Sequence, residues 1–280
     1  MSARLKKKSR VPENAIIYLF ACSWLFVCLF PVWIIFSATF SPDNVNMTKV
    51  FFPTDFANGI SKIYTALTSV NIAKATVDTF LYTILAIIGV LITSSLASYE
   101  FTFYNFPFKK LLFAILMGSM MLPLVLYVIP LYRFVFSLGL GDTIWGVALP
   151  MMISPLYVFI LNQFAEDIPS SFVEAARIDG AGHFHIYFYI FLPVIRNGLI
   201  TVTVLTFLGS WGTYLWPALI SGNSVMPMSR TIANLLSPYF YVDERVRMAA
   251  MLIAMIPPLL TFVIFQRYVI EGITMSGIKG

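Results

Sequence analysis

Charged residues are scarce in this sequence. Asp, Glu, Lys and Arg make up 11% of the 280 residues, whereas soluble domains carry about 25%. Apolar types account for 59% of the chain, and the mean hydropathy is +0.84. A soluble protein could not cover such a composition with polar groups, so the sequence indicates an integral membrane protein. The net charge of +5 then bears on orientation in the membrane and does not indicate nucleic-acid binding.

Cysteine pairs and catalytic motifs are also missing. Cys22 and Cys28 lie in one apolar run, which excludes a disulfide framework. The sequence has no P-loop, His-Glu-x-x-His, Cys-x-x-Cys or Gly-x-Ser-x-Gly, so any ATP hydrolysis has to come from another chain. His183 and His185 would point about 200° apart on a helix, and this spacing disfavours a metal site.

Long apolar runs dominate what is present. A membrane-spanning helix needs about 20 mostly apolar residues, and proline within such a helix is tolerated where neighbouring groups satisfy the freed carbonyls. The predicted fold class is an all-α integral membrane protein with about six transmembrane helices. The predicted spans are Ala15–Phe36, Ala75–Tyr99, Lys110–Phe134, Ile144–Phe164, Leu199–Ile220 and Met248–Tyr268.

Basic residues set the expected orientation. Five of the first ten residues are Lys or Arg, and cytoplasmic segments carry an excess of these residues. Both termini are therefore expected in the cytoplasm. This divides the chain into a cytoplasmic segment over 1–14, a transmembrane domain over 15–270 and a cytoplasmic tail over 271–280. Near the outer end of the second span, Lys74 and Asp78 have the spacing of a helical ion pair.

The polar segment of about 165–198, between the fourth and fifth spans, is the expected contact with a cytoplasmic partner. Ser171 and Glu174 have the spacing of a capping box, which predicts a helix over Phe172–Asp179. Gly180 suits the end of that helix, because glycine accepts the left-handed conformation. A second amphipathic stretch is predicted over His183–Leu192.

This segment carries the pattern Glu-Ala-Ala-x3-Gly-x9-Ile-x-Leu-Pro. The matching residues are Glu174, Ala175, Ala176, Gly180, Ile190, Leu192 and Pro193. The pattern resembles the EAA loop of permease subunits of bacterial ABC importers. Further segments, such as Ile178-Asp179-Gly180-Ala181 and the ending from Gln266 to Gly280, resemble the smaller, six-span permease of the carbohydrate-uptake, maltose-type group.

The resemblance implies a type I importer permease in the bacterial cytoplasmic membrane, with its EAA loop docked on an ATPase subunit. The expected ATPase-coupling residues are Glu174, Ala175, Ala176, Asp179, Gly180, Ile190, Leu192 and Pro193. A second contact is expected from the tail at Gly277, Lys279 and Gly280. The chain itself would hold no cofactor or metal, since ATP and Mg²⁺ would be bound by the partner. The implied partners are a second permease subunit, two ATP-binding subunits, an extracytoplasmic sugar-binding protein and membrane lipid.

Candidates for the substrate path come from the fifth span. Sugars are recognised by hydrogen bonds to hydroxyl groups and by flat contact with aromatic rings. The candidate residues are Ser210, Trp211, Thr213 and Tyr214. Trp211 and Tyr214 are three apart and would share a helix face, although Trp and Tyr also line membrane interfaces regardless of function.

The function expected from these features is import of a sugar, most simply an oligosaccharide, by ATP-driven alternating access. One alternative is an ABC importer for glycerol phosphate or for a charged uronic-acid oligosaccharide. A second alternative is an ion-coupled secondary carrier. The centres of the spans carry no Asp, Glu, Lys or Arg, and this disfavours an ion-coupled carrier. A membrane-embedded enzyme is disfavoured because no catalytic constellation occurs.

Overall fold

The computed structural model describes residues 11–46, 50–166 and 168–277, and all regular secondary structure in these ranges is helical. Residues 1–10 of the expected N-terminal segment lie outside them. A 3-10 turn covers Leu149–Met152 and a π-helical turn covers Tyr187–Phe191. The α-helices are α1 (Val11–Thr39), α2 (Phe56–Thr68), α3 (Ile72–Phe103), α4 (Lys109–Ser119), α5 (Leu124–Ser137), α6 (Ile144–Ala148), α7 (Pro155–Glu166), α8 (Ser170–Ile178), α9 (His183–Ile186), α10 (Leu192–Val194), α11 (Arg196–Gly212), α12 (Leu215–Ile220), α13 (Met228–Leu235) and α14 (Glu244–Gly277).

Three helices are each long and apolar enough to cross a membrane alone, in α1, α3 and α14. Three further candidate crossings are pairs of helices bent against each other. The pairs are Lys109–Ser119 with Leu124–Ser137 (98°), Ile144–Met152 with Pro155–Glu166 (44°), and His183–Val194 with Arg196–Gly212 (74°). If each bent pair counts as one crossing, the described residues hold six spans. The predicted all-α membrane fold is confirmed.

The third predicted span is a bent pair instead of one straight helix. Between α4 and α5, Pro123 takes an extended conformation with ψ of 137° and precedes the first residue of α5. Proline has no N–H to continue the hydrogen-bond ladder of α4, and its ring restricts the residue before it. The prediction of a continuous helix over Lys110–Phe134 is therefore wrong, and proline is the physical reason.

The fifth predicted span also ends early. α11 ends at Gly212, and Thr213 is extended with φ of −70° and ψ of 138°. A regular helix would pair the Thr213 carbonyl with the N–H of residue 217, but Pro217 has none. The Ser229 hydroxyl donates to that carbonyl instead, at 2.7 Å. The expectation that Trp211 and Tyr214 share one helix face is therefore wrong.

The chain forms two compact units. The described residues up to 70 form one unit with residues 241–253, and residues 71–240 form the second with the described residues from 254 onward. In the second unit α3 is the central helix, because α7 and α11 both pack along it. Its buried apolar cluster joins α3, α7 and α11 to the segment after α7, with members such as Val90, Leu161, Phe191 and Val202.

The first unit is held by an ionic network next to α1 and α2. The Lys62 ammonium lies 3.0 Å from Asp43 and 2.6 Å from Asp243. The Arg245 guanidinium donates to the Ser41 carbonyl at 3.2 Å and lies 3.7 Å from Asp43. Desolvation opposes the charge on Lys62, but its bonds to Asp243 and Asp43 outweigh this and raise its pKa.

Candidate functional site

α8 is the first helix of the segment between the fourth and fifth spans, and it begins earlier than predicted. Pro169 is its N-cap residue, and Ser170 opens the helix. The fixed φ of proline suits this position, and the Pro169 carbonyl accepts the N–H of Phe172 at 3.1 Å. Ser171 lies inside the helix, and the start has no side-chain cap hydrogen bond. The predicted capping box between Ser171 and Glu174 is therefore wrong.

The end of α8 matches the prediction. Gly180 has φ of +84°, a conformation that costs glycine little. The N–H of Ala181 donates to the Ala176 carbonyl at 2.9 Å, and the N–H of Gly180 donates to the Arg177 carbonyl at 3.0 Å. These two bonds form a Schellman motif, which fixes the direction in which the chain leaves the helix.

α8 has one face on the core and one exposed face. Val173 is buried and Ala176 packs against the same apolar cluster. Glu174 and Ala175 are exposed, and the Glu174 carboxylate has no hydrogen bond or ion pair among the described residues. Ile178 is 86% exposed. This face therefore combines a free carboxylate with an uncovered apolar side chain.

A groove of about 510 Å³ follows α8. It is lined by Ala176, Asp179, Gly180, Ala181, Gly182, His185 and Ile190. The structure thus brings four of the predicted coupling residues (Ala176, Asp179, Gly180 and Ile190) to one concave surface. Phe184 is 77% exposed in the helix that follows.

The predicted second helix is interrupted by the π-helical turn. The Leu192 N–H donates to the Tyr187 carbonyl, five residues back. Tyr187 and Phe191 are buried beneath the loop, Leu192 packs partly against them and Pro193 is exposed. π-helical turns are rare and are frequent at functional sites. We call residues 169–193 the coupling loop.

The coupling loop is bonded to the end of α3 through tyrosines. The Tyr104 hydroxyl lies 2.7 Å from His183 Nδ1 and 3.0 Å from the Tyr99 hydroxyl. The Tyr104 ring stacks on His183 at 5.1 Å, and the Arg177 guanidinium lies 4.9 Å from the centre of the Tyr104 ring. Deeper in α3, the Ser95 and Tyr187 hydroxyls lie 2.6 Å apart. Sequence reasoning missed this cluster, because only the fold brings Tyr104 beside His183.

The tail residues of the prediction are only partly described. Gly277 is the last residue of α14, and Lys279 and Gly280 lie outside the described residues. The tail contact therefore stays a prediction.

The four path candidates occupy different environments. Ser210 is buried in α11, Thr213 lies at the break after α11, and Tyr214 is 51% exposed. Trp211 is 5% exposed and walls an apolar cavity of about 380 Å³ with residues of α13 and α14. The structure therefore gives the four side chains different surroundings, and their place on the substrate path stays a prediction.

Trp211 has a structural role that the sequence did not predict. Its indole N–H donates to the Ala254 carbonyl at 3.0 Å. In a regular helix that carbonyl would accept the N–H of residue 258, but Pro258 lacks one. Trp211 therefore satisfies the backbone group that Pro258 frees within the membrane, and its ring lies against Phe80 at 4.9 Å.

The segment after α12 is held by two carboxylates, one from the turn between α5 and α6 and one from α3. Asp142 accepts the backbone N–H groups of residues 222–225, at 2.6 to 3.0 Å. Asp78 accepts the Met226 N–H at 2.8 Å, and the predicted ion pair between Lys74 and Asp78 is confirmed. Desolvation alone would raise the pKa of Asp142, but the backbone hydrogen bonds outweigh it and hold the pKa well below its usual range. We call residues 221–230 the outer hairpin, after the orientation that the sequence predicts.

Comparison with known proteins agrees with this architecture. Residues 87–274 match the family model of binding-protein-dependent transport system inner membrane components. This chain belongs to that family, and it is a transport subunit of the membrane: the ABC importer permease that the sequence predicted.

Curated relatives cover almost the whole chain. The arabinooligosaccharide transport system permease protein AraQ of Halalkalibacterium halodurans is 29% identical over 268 residues, covering 91% of this chain and 92% of its own. The sn-glycerol-3-phosphate transport system permease protein UgpE of Yersinia pestis is 30% identical over 260 residues, covering 89% and 91%. A solved bacterial ABC transporter involved in import of the acidic polysaccharide alginate matches with a TM-score of 0.82 at 20% identity, over 93% of this chain and 98% of that one. This last likeness confirms the type I permease fold.

Proposed function

We propose that this chain is one of two permease subunits of an ATP-driven importer that moves a sugar, most simply an oligosaccharide, into the cytoplasm. The coupling loop carries the proposal: α8 presents Glu174 and Ala175 beside a groove of about 510 Å³. A surface of this kind fits a helix-and-groove contact with a second protein. The relatives named above, a permease for arabinooligosaccharides among them, support the sugar assignment.

The family of the chain supports the proposed partners. Two ATP-binding subunits, holding ATP and Mg²⁺, supply the energy through the coupling loop. A second permease completes the pore, and the apolar side chains that α1 exposes along its length face it or the lipid. An extracytoplasmic binding protein delivers the solute to the opposite face. With the coupling loop in the cytoplasm of a bacterium, both termini lie on the cytoplasmic side of the inner membrane.

Coupling works through two states of the pore. ATP binding closes the ATPase pair, the coupling loop follows, and the permease changes from inward-facing to outward-facing. Such coupling requires that the two permease conformations differ in affinity for the ATPase state and for the solute. Glu174 transmits this movement and performs no chemistry.

An anionic solute is the second candidate. One relative named above transports sn-glycerol 3-phosphate, and the structural match imports an acidic polysaccharide. In this chain Arg230 of α13 keeps part of its guanidinium free in a small pocket. A glycerol phosphate or a uronic-acid oligosaccharide is therefore a second candidate solute, in addition to the neutral oligosaccharide.

The test is the ATPase activity of the co-expressed complex with and without loaded binding protein. Glu174→Lys reverses the one free charge that α8 offers at its exposed face, so we expect it to abolish stimulation or docking of the ATPase. Glu244→Lys makes the same charge change at an exposed residue on α14, far along the chain, and should behave as wild type. If no ATPase subunit co-purifies and uptake follows an ion gradient, the ion-coupled carrier replaces this proposal.

A further inference from the structure

The outer hairpin borders a small pocket of about 150 Å³. Its lining comes from α13 and from the hairpin: Arg230, Thr231, Asn234, Gly222, Asn223, Val225 and Met226. The side-chain amides of Asn223 and Asn234 are exposed and make no hydrogen bond among the described residues. The lining contains no Asp or Glu. Hydrogen-bond donors with a positive charge are therefore concentrated here without an acidic side chain among them.

Arg230 is held so that one edge of its guanidinium stays open. Its Nη1 group donates to the carbonyls of Ser221 and Gly222, the latter at 2.9 Å. These two bonds use both hydrogens of Nη1. The Nε and Nη2 groups have no acceptor in the part of the chain that the structure describes. Nε–H and Nη2–H form the parallel pair of donors that matches the two oxygens of a carboxylate or phosphate.

The hairpin that positions Arg230 is itself fixed. Asp142 accepts four of its backbone N–H groups, and Lys74 donates to the Ser224 carbonyl at 2.6 Å. Lys74 is also paired with Asp78, and the Asp142 charge is met by the four N–H groups. Arg230 thus differs from Lys74, whose charge is already met by a carboxylate, because Arg230 has no acidic partner among the described residues. A guanidinium held in place before binding loses less freedom when a ligand arrives.

Size and position set what the pocket can take. Pockets that enclose a whole small molecule measure about 300–1,000 Å³, so about 150 Å³ takes one acidic group and its neighbouring hydroxyls. α11 separates the hairpin from the coupling loop, and its 17 residues span about 25 Å. The pocket therefore lies on the face opposite to the coupling loop, where a solute would enter.

We propose that Arg230 binds an oxyanion of the transported solute, either the carboxylate of an acidic sugar or the phosphate of a phosphate ester, with Asn223 and Asn234 bonding the adjacent hydroxyls. The inference rests on the proposed function as an importer permease. It narrows that function to acidic solutes and assigns to this subunit a part of the solute site.

The experiment uses the complete transporter in proteoliposomes with its binding protein. Uptake is measured for two matched pairs: digalacturonate with its neutral counterpart, and sn-glycerol 3-phosphate with glycerol. Arg230→Gln is compared with wild type, with Arg230→Lys, and with Lys110→Gln, which removes the same charge at an exposed residue of α4. Because the same binding protein serves every variant, its own preference cancels in the comparison.

We expect Arg230→Gln to lower the ratio of kcat/KM for the acid to that for the neutral partner at least tenfold. The ratio for Arg230→Lys should lie between those of wild type and Arg230→Gln, because lysine keeps the charge and loses the paired donors. The ratio for Lys110→Gln should match wild type. The pair that responds identifies carboxylate or phosphate as the ligand.

Three results overturn the subsite. The first is a wild-type transporter that carries only neutral members. The second is an acid-to-neutral ratio that Arg230→Gln leaves unchanged. The third is that Arg230→Gln raises the binding-protein concentration needed for half-maximal uptake by the same factor for all solutes. This result would make Arg230 a residue that docks the binding protein. Failure of the proposed function looks different, because then no ATP-dependent uptake of any solute occurs and no ATPase subunit co-purifies.

Discussion

Tyr104→Phe tests whether the coupling loop moves the membrane helices through α3. The substitution removes one hydroxyl group, which lies 2.7 Å from His183 Nδ1 and 3.0 Å from the Tyr99 hydroxyl. It keeps the ring, and with it the stacking on His183 and the contact with Arg177. The perturbation is therefore confined to the polar link between α3 and the loop.

The magnitude follows from the bond to His183, because the bond to Tyr99 lies within the end of α3 and does not join the loop to it. A neutral hydrogen bond contributes about 0.5–1.5 kcal/mol net, so the free energy that holds His183 to α3 falls by about that amount. A change of about 1.4 kcal/mol corresponds to a tenfold change in an equilibrium constant. The loop should then detach from α3 up to about ten times more often, while the buried apolar side chains of the loop keep their packing.

The assay is the number of solute molecules imported per ATP hydrolysed by the reconstituted complex. We expect this ratio to fall several-fold in Tyr104→Phe, with the ATPase subunits still co-purifying. Tyr64→Phe is the control, because the Tyr64 side chain is 67% exposed and its hydroxyl has no hydrogen bond among the described residues. His183→Ala should give at least the same loss, because it removes the ring stacking as well as the hydrogen bond. Adding Tyr104→Phe to it should change little further, since the shared hydrogen bond is already gone.

Two results would refute the reasoning. An unchanged ratio of import to hydrolysis means that the link carries no movement. A loss of import that is matched by loss of the ATPase subunits means that Tyr104 only supports assembly.

Two further predictions concern the stability of each unit. Asp142→Asn leaves one oxygen for four backbone N–H groups, so the free energy of unfolding should fall by about 1–3 kcal/mol. Hydrogen exchange at residues 222–225 should become faster. Unchanged exchange at these residues would contradict the prediction. In the other unit, hydrogen bonds from Asn58 and Lys62 lower the pKa of Asp43, and bonds to Lys62 and Arg245 outweigh desolvation and lower that of Asp243. The contribution of these two carboxylates to stability is present above the ordinary pKa of about 3.8. It is lost as the pH falls through their lower pKa values in the folded state. Melting temperature against pH should therefore drop less steeply below pH 4 in Asp243→Asn than in wild type, and parallel curves would refute it.

Local chemistry explains what the sequence predicted correctly. Apolar length identified the crossings, and Gly180 marked the end of α8, because the left-handed conformation there suits glycine. Ala176, Asp179 and Ile190, whose coupling role stays a prediction, reach one groove because the Schellman motif and the turn after it fix the chain between them. The ion pair of Lys74 and Asp78 followed from helical spacing alone.

Tertiary partners explain what the sequence could not predict. Ser171 has the spacing of a cap, but Pro169 starts α8 first. Thr213 leaves the helix because Pro217 cannot bond its carbonyl, and Ser229, 16 residues away, takes that place. The indole N–H of Trp211 is used by a carbonyl that Pro258 frees, and the place of Trp211 on the substrate path stays a prediction. Each case depends on a group distant in the chain.

α3 is bonded to both the outer hairpin and the coupling loop. Near its start, Asp78 and Lys74 hold the outer hairpin through Met226 and Ser224. Near its end, the tyrosine cluster holds the coupling loop. The helix has 32 residues and is about 48 Å long at 1.5 Å per residue.

A long helix in a close-packed core moves as a rigid body, because the packing around it allows few intermediate arrangements. A shift imposed on the coupling loop is therefore expected to reach the hairpin that carries Arg230 without any relay of side chains across the membrane. Breaking the inner attachment, as in Tyr104→Phe, should then alter exchange at residues 222–225 during ATP turnover. Loosening the hairpin itself, as in Asp142→Asn, should leave the docking of the ATPase unaffected, because Asp142 is not part of α3.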